Sequence, residues 1–549
     1  MSQLARVAAV QFEPTLFRKE ENVAALLRLA GEAADKIGGP APGIGAASPA
    51  SPGGSEVAGL IVLPEMATTG YVFRNREEIT PYVEPVPGPT TRILGRFARQ
   101  RRVSLVIGLP EVDPATGAFY NSTALIGPDG EVAGVYRKTH SFHCDTVWAA
   151  EGNLGLPVFD GPWPGPLGLF ICMDAGFFET ARVMALAGAR VLALPTNWLR
   201  SAPSPEWRAR AAENGGCVVV ANRWGEERGV TFAGGSCVIG PGGEILAQRE
   251  RGDGVIVADI DLRAESAIPQ RWVRRRPELY HTLLRHPYLW PERFTVGRLG
   301  AGPFTLSAAG PGAADVGPKD QGLGLSSLCA RLPGEPGGRL LVLPPQAALS
   351  PELLAAAAAT GTYLVTSLAD SASGDGGGVE VWLVGPDGPI GKYRSPHLPG
   401  RTAAADAGER GGAFPTFDLP FARVGLLEPL DLLLPEPARL LAKEGADMIL
   451  ASGVWPDELD DLRFLWAERA EANDLWLAVA VSGSPGSACR QGQPDSAVFV
   501  SGERGAELPG LPGVVSLTGE TGPGSPSRRK DHLRRLRPDL YLPLVKPAL

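Results

Sequence analysis

Several stretches of this chain recur 257 residues apart. Val135 to His140 reads VYRKTH and Lys392 to His397 reads KYRSPH, so the two tyrosines are separated by 393 - 136 = 257. Glu179-Thr-Ala-Arg182 and Glu436-Pro-Ala-Arg439 repeat at 439 - 182 = 257, and Gly188 to Trp198 repeats as Gly445 to Trp455 at 455 - 198 = 257. Three separate blocks sharing one offset mark a tandem duplication. The closing segments agree nearly as well, with RRRPELY ending at Tyr280 and RLRPDLY at Tyr541, 541 - 280 = 261 apart. A chain of 549 residues is too long for one ordinary core, so the repeat predicts two domains. Their expected bounds are 1–290 and 304–549, joined by a linker at 291–303, with the second copy opening on a strand near Phe304 to Ala309.

Within the first copy, short runs rich in Val, Ile and Leu alternate with helical patterns: RVAAVQF, GLIVLPE, VSLVIGLPEV, LGLFICMD, RVLALPTNW and CVVVANRWG. Continuous apolar runs of this length read as strands buried on both faces. Helices are expected around Val23 to Ala34, Thr91 to Arg101, Thr180 to Gly188 and Glu206 to Asn214, which makes the fold class α/β, in layers. Pro128-Asp-Gly130 predicts a hairpin between Tyr120 and Tyr136, and Pro241-Gly-Gly243 a similar turn. Gly38 to Gly54 is too poor in apolar side chains to fold and is expected to be a surface insertion.

Charge and cysteine content narrow the function. The net charge is -8, and basic residues are dispersed apart from the runs Arg271 to Arg276 and Arg528 to Arg537, so nucleic acid is not an expected partner. No run of about 18 apolar residues is present, and the opening MSQLARVAAVQFEP lacks the pattern of a signal peptide, so no membrane role and a cytoplasmic location are expected. The six cysteines, Cys144, Cys172, Cys217, Cys237, Cys329 and Cys489, have neither disulfide-framework nor zinc-site spacing. No metal site is expected. The chain also lacks a P-loop and a GxGxxG that opens a helix, so no cofactor is expected.

Three residues with complementary chemistry stand where apolar strands end. Glu65 follows GLIVLP, Lys138 follows the hairpin strand and Cys172 follows GPLGLFI, and strand ends of α/β layers are where sites form. Attack on an amide carbonyl needs a nucleophile, which a thiol supplies once deprotonated. It needs an acid-base group, a role for Glu65 if burial raises its pKa. It also needs positive charge at the developing oxyanion, which Lys138 and the backbone N–H of Met173 would give. A buried lysine requires a carboxylate beside it. Singly, each has a plainer reading: Cys172 as a small core residue, Glu65 as a helix-start acid, Lys138 as a solvated charge.

Taken together, LPE at 63–65, YRKTH at 136–140 and ICMD at 171–174 resemble the three signature blocks of the carbon-nitrogen hydrolase (nitrilase) superfamily. AAENGGCVVVANRWG at 211–225 and FAGGSCVIGPGGEIL at 232–246 extend the resemblance over residues 4–281. It implies an α-β-β-α sandwich, two of them in tandem here, and the Glu, Lys and Cys roles above for Glu65, Lys138 and Cys172. Many members carry a second Glu seven residues before a Gly after the lysine block. Here Asp145 stands seven before Gly152, a candidate supporting acid whose alternative is a solvated loop residue. The resemblance implies amide, ureido or nitrile substrates. Met173-Asp174 after the nucleophile is similar to amidase-like branches, which favours a small carboxamide or ureido compound over a nitrile. Trp148, Asn197 and Trp198 are candidates for the substrate pocket, with core packing the alternative for the tryptophans.

Applied to the second copy, the offset puts Ser395 at the position of Lys138 and Pro429 at that of Cys172, while LVLPPQ puts Pro345 at that of Glu65. Proline carries no acid, no thiol and no N–H, so this copy is expected to be non-catalytic although its apolar strand patterns persist. Members of the superfamily commonly pair sandwich against sandwich, so an intramolecular pseudo-dimer is the expected role; a regulatory or protein-binding module is the alternative. A chain in which both copies are silent, a binding protein, is the rival from another class.

Overall fold

A computed structural model describes residues 4–38, 59–161, 163, 165–263, 274–286, 300–310, 324–369, 379–397, 414–482, 496–500, 503–507 and 513–546. Most of the insertion at 38–54, part of the linker at 291–303, and Cys489 lie outside them. Two compact units are formed, Met1–Ala267 and Ile268–Leu549.

The first unit contains two six-stranded sheets. One runs Gly254–Asp261, Leu4–Gln11, Gly59–Val62, Val103–Val112, Phe119–Ile126 and Val132–Arg137. Its three central strands are parallel and its outer ones antiparallel. The other runs Ile245–Arg249, Ser236–Ile239, Cys217–Asn222, Val191–Thr196, Leu167–Leu169 and Val158–Phe159. Alternation along the strands explains the continuous apolar runs. Val7, Ala9, Leu60, Val62 and Val106 point into the core between the sheets, beside Leu169, Ala193, Val219 and Val238. Their neighbours Ala8, Val10, Ile61, Leu105 and Ile107 pack under Leu26, Leu29, Leu94 and Ala98 of the helices Lys19–Gly38 and Pro89–Arg101. On the other sheet, the helices Phe178–Leu186 and Pro205–Ala212 cover the outer face through Ala181, Met184, Trp207 and Ala211. The order is helix, sheet, sheet, helix.

Both predicted turns form. Gly130 (φ 84°) closes the hairpin in which Thr123 opposes Tyr136, and Gly243 (φ 82°) closes the turn between Ser236–Ile239 and Ile245–Arg249. Both angles lie in the left-handed region that glycine tolerates.

The second unit repeats the plan with a sheet Gly388–Arg394, Val379–Gly385, Thr362–Ala369, Arg339–Val342, Gly302–Ala309, Val514–Thr521 and Ala506–Glu507, and a six-stranded sheet from Thr416–Asp418 to Glu503–Arg504. Helices lie on the first of these through Leu328, Leu353 and Ala356 against Leu341, Leu343 and Leu364. Residues 274–286, which sequence order assigns to the first domain at 1–290, lie in this second unit. The cause is a set of partners there: Arg275 pairs with buried Glu436 at 2.7 Å, the Tyr280 hydroxyl meets the His397 ring at 2.9 Å, and Lys443 donates to the carbonyls of Leu283 and Arg285. Among the described residues, no helix is long and apolar enough to cross a membrane.

Candidate active site

Glu65, Lys138 and Asp145 meet in the interior of the first unit. Glu65 follows the strand Gly59–Val62, held where the Leu63 N–H donates to the Val106 carbonyl at 2.8 Å. Lys138 follows Val132–Arg137, its own N–H donating to the Asn121 carbonyl at 2.9 Å. All three side chains are essentially inaccessible, and Lys138 Nζ lies 2.8 Å from Glu65 Oε1 and 2.8 Å from Asp145 Oδ2. Burial works against the ammonium, but Asp145 and then Glu65 outweigh it and hold the Lys138 pKa well above its usual range. Two anions around one cation is the arrangement that makes a buried lysine tolerable.

The two acids are not equivalent. Asp145 accepts from Lys138, from the backbone N–H of Phe142 at 2.8 Å, from the Tyr71 hydroxyl at 3.3 Å and, through Oδ1, from Asn121 Nδ2 at 2.9 Å. Glu65 Oε1 accepts from Lys138 and from Asn121 Nδ2 at 2.7 Å, while its buried Oε2 has no hydrogen-bond partner among the described residues. Burial raises the Glu65 pKa, opposed by Lys138 and reinforced by Asp145. One carboxylate is thus saturated with donors, and the other is left with one unpaired oxygen.

Cys172 stands on the second sheet's side of this cluster. The strand Leu167–Leu169 ends early, and Cys172 opens a short 3-10 turn, Cys172–Gly176, with its own φ at 46°. A left-handed non-glycine residue is strained, of order 1–3 kcal/mol, and such strain persists where surroundings over-determine it. Here Asp174 does so. It accepts from the N–H of Ile171 at 2.9 Å, from the Tyr136 hydroxyl at 2.8 Å, from Thr139 at 3.0 Å and from His140 through both ring and backbone. The lysine block at 136–140 and the cysteine turn are therefore tied to one buried carboxylate. Met66, next to Glu65, is also left-handed at φ 50°.

The thiol of Cys172 is pushed up to about 12 by burial and by Glu65, while Lys138, Thr196 and the backbone N–H of Asn197 pull it down. It therefore rests as a thiol near neutral pH. Met173, half-buried, is the second residue of the turn, whose first N–H groups have no carbonyl partner within it.

The pocket candidates divide. Both polar atoms of the buried Asn197 side chain lack partners among the described residues, and the neighbouring Thr196 hydroxyl acts on the Cys172 thiol. Trp198 packs edge-to-face on Trp207 at 5.4 Å, and the same pair recurs as Trp455 and Trp466 at 5.0 Å in the second unit, which marks it as part of the scaffold. Trp148 stands edge-to-face with Phe73 in an apolar cluster that includes Met66, Tyr71 and Phe232. Asn121 and Tyr71, absent from the sequence reading, belong to the site. Their signals were an Asn opening the polar run Asn121-Ser-Thr123 of a buried strand and a Tyr six residues after Glu65.

The second unit keeps the scaffold without these side chains. Asp431 accepts from Tyr393 at 2.9 Å, from Ser395 at 2.5 Å and from the N–H of Glu428 at 3.1 Å, with His397 at 2.8 Å. Pro429 opens the turn that Cys172 opens in the first unit. Among the described residues, no cluster of His, Cys, Asp or Glu is arranged to hold a metal ion.

Comparison with known proteins adds an independent observation. Residues 6–270 and 340–484 match the family model described as carbon-nitrogen hydrolase. A nitrilase from Pyrococcus abyssi is 36% identical over 261 residues, 47% of this chain and 90% of the relative. A probable nitrilase from Schizosaccharomyces pombe is 35% identical over 236 residues, 41% and 85% of the two chains. An omega-amidase from Homo sapiens is 30% identical over 245 residues, 42% and 87%.

Proposed function

The chain belongs to the carbon-nitrogen hydrolase family, and from that premise we propose that its first unit hydrolyses a small carboxamide or ureido compound through a thioester on Cys172. The observation that carries the reading is the Lys138 ammonium held 2.8 Å from both Glu65 and Asp145, with the Cys172 thiol under the influence of both Glu65 and Lys138.

In this mechanism the Cys172 proton passes to Glu65 as sulfur attacks the carbonyl carbon. A thiol held at about 12 gives very little free thiolate, so proton transfer and carbon-sulfur bond formation proceed together. The carbonyl oxygen becomes an oxyanion facing Lys138 and the backbone N–H of Met173. Protonated Glu65 then gives its proton to the departing nitrogen, the carbon-nitrogen bond breaks, and ammonia or an amine leaves. Glu65 next takes a proton from water, whose oxygen attacks the thioester, and the acid is released with the thiol restored. Asp145 is the second counter-ion to Lys138. The second unit, with Pro345, Ser395 and Pro429 at the matching positions, is non-catalytic in this reading and serves as a folded partner domain.

The test is ammonia release across short amides, ureido acids and nitriles, with Cys172→Ala as the blank. Turnover of amides or ureido acids, abolished in the variant, is expected. Turnover confined to nitriles would replace the substrate class, and turnover surviving in Cys172→Ala would remove the mechanism.

A further inference from the structure

Two carboxylates flank Lys138, and the geometry points to Asn121 as the positioning residue that decides which of them, and which oxygen, handles the proton. This inference rests on the proposed roles of Glu65 and Cys172. Asn121 lies on the strand Phe119–Ile126, next to the strand that ends at Lys138. Its single amide nitrogen reaches Glu65 Oε1 at 2.7 Å and Asp145 Oδ1 at 2.9 Å. Only the nitrogen of the amide can face two acceptor-only carboxylates, so both of its hydrogens are committed.

The consequence is a division of labour. Lys138 and Asn121 both occupy Glu65 Oε1, which leaves Oε2 as the carboxylate oxygen of the two acids with no hydrogen-bond partner among the described residues. Asp145, with donors on both oxygens, has no comparable atom to offer. Asn121 also keeps the two acids from sharing a proton, because the donor between them comes from an amide that does not give it up. Its carbonyl oxygen is buried with no partner among the described residues; an unpaired polar atom has a desolvation cost, here offset by two charged bonds.

The second unit gives an independent check. Thr123 opposes Tyr136 in the first unit and Val381 opposes Tyr393 in the second, so the register places Val379 where Asn121 stands. In the copy without the Glu, Lys and Cys, the sequence therefore carries no amide at this strand position, whereas the scaffold residues Tyr393, His397 and Asp431 remain.

Asn121→Leu, similar in shape and without donors, tests this through the pH dependence of kcat/KM for the amide found in the screen. The titratable and charged groups acting on Glu65 are Lys138, Asp145, Cys172, Cys144, Tyr71 and Arg223; the substitution removes none of them, and of these only Asp145 loses a donor with it. Loss of a donor to the charged form moves the acid limb, assigned to Glu65, upward by about one to two pH units. kcat is expected to fall while KM changes little. Asn121→Ser, which keeps one donor at shorter reach, should shift the limb by a smaller amount and serves if the leucine variant does not fold. An acid limb that stays in place in a folded Asn121 variant with Cys172-dependent activity overturns the inference. Activity that survives Cys172→Ala overturns instead the reading on which it rests.

Discussion

A single methyl group at Gly108 should disable the site from behind. Gly108 lies in the strand Val103–Val112, where its N–H donates to the Pro64 carbonyl at 3.3 Å and its carbonyl accepts from Ala67 at 3.1 Å. The backbone turn carrying Glu65 is thus laid directly on the glycine. A Cβ there would stand 2.6 Å from Glu65 Cα, 2.7 Å from the Pro64 oxygen and 2.9 Å from the Met66 nitrogen, all of them backbone atoms that cannot rotate away. Ordinary contact begins at 3.4 Å, so the Glu65 backbone must retreat by about 3.4 - 2.6 = 0.8 Å. A misplacement of that order near a reacting group lowers turnover by about a hundredfold, whereas overpacking of this kind costs about 1–3 kcal/mol of stability. The second unit carries Ser367 at the matching register, opposite Val381 as Gly108 is opposite Thr123, and has no acid in front of it. Gly108→Ala should therefore remain folded by thermal unfolding while kcat/KM for ammonia release falls by about two orders of magnitude. A folded variant with turnover within about twofold of the parent would show that the placement of Glu65 is not limited by this contact.

Asp145→Asn removes one of the two anions that stabilise the Lys138 ammonium, and breaking such a buried pair should cost about 3–5 kcal/mol in urea unfolding, with turnover falling as well. Ser395→Ala and Pro429→Ala in the second unit should leave ammonia release within about twofold of the parent, provided the melting transition is retained. Alkaline pH should weaken the fold through its buried thiols. Cys172 and Cys217 are each raised from 9.0 to about 12 in the folded chain, so their contribution is complete below pH 9 and is lost as pH rises towards 12. Urea midpoints measured across that window should decline, and Cys172→Ala with Cys217→Ala should flatten the decline.

Much of the architecture was legible because burial on both faces leaves a plain mark. RVAAVQF and GLIVLP cannot alternate polar and apolar residues when one side meets a second sheet and the other meets helices. The residues that meet at Lys138 were legible because a charge after a buried strand needs partners, and Asp145 proved to be one of them. Asn121 was hidden because it stands beside Ser122 and Thr123 in FYNSTALI, and nothing in the strand singles it out until the acids on either side are placed. The left-handed backbone of Cys172 and Met66 has no signature in residue types that usually avoid it. Gly108 reads as an ordinary strand glycine, since the contact that demands it comes from a segment 43 residues earlier (108 - 65 = 43). The packing of residues 274–286 in the second unit was equally invisible, because sequence order places them at the end of the first copy whereas Glu436 and His397 supply their partners. Trp198 was equally a pocket candidate and a core residue on position alone, because the pairing with Trp207, matched by Trp455 with Trp466, appears only in three dimensions.

The most direct measurement is the mass of the chain quenched with acid during turnover of an amide, followed by peptide mapping. A covalent reaction through the thiol predicts the mass of the acyl group on the peptide containing Cys172, its removal by hydroxylamine, and its loss in Cys172→Ala. An acyl group on another residue, or none at any time while Cys172→Ala still releases ammonia, would contradict the account.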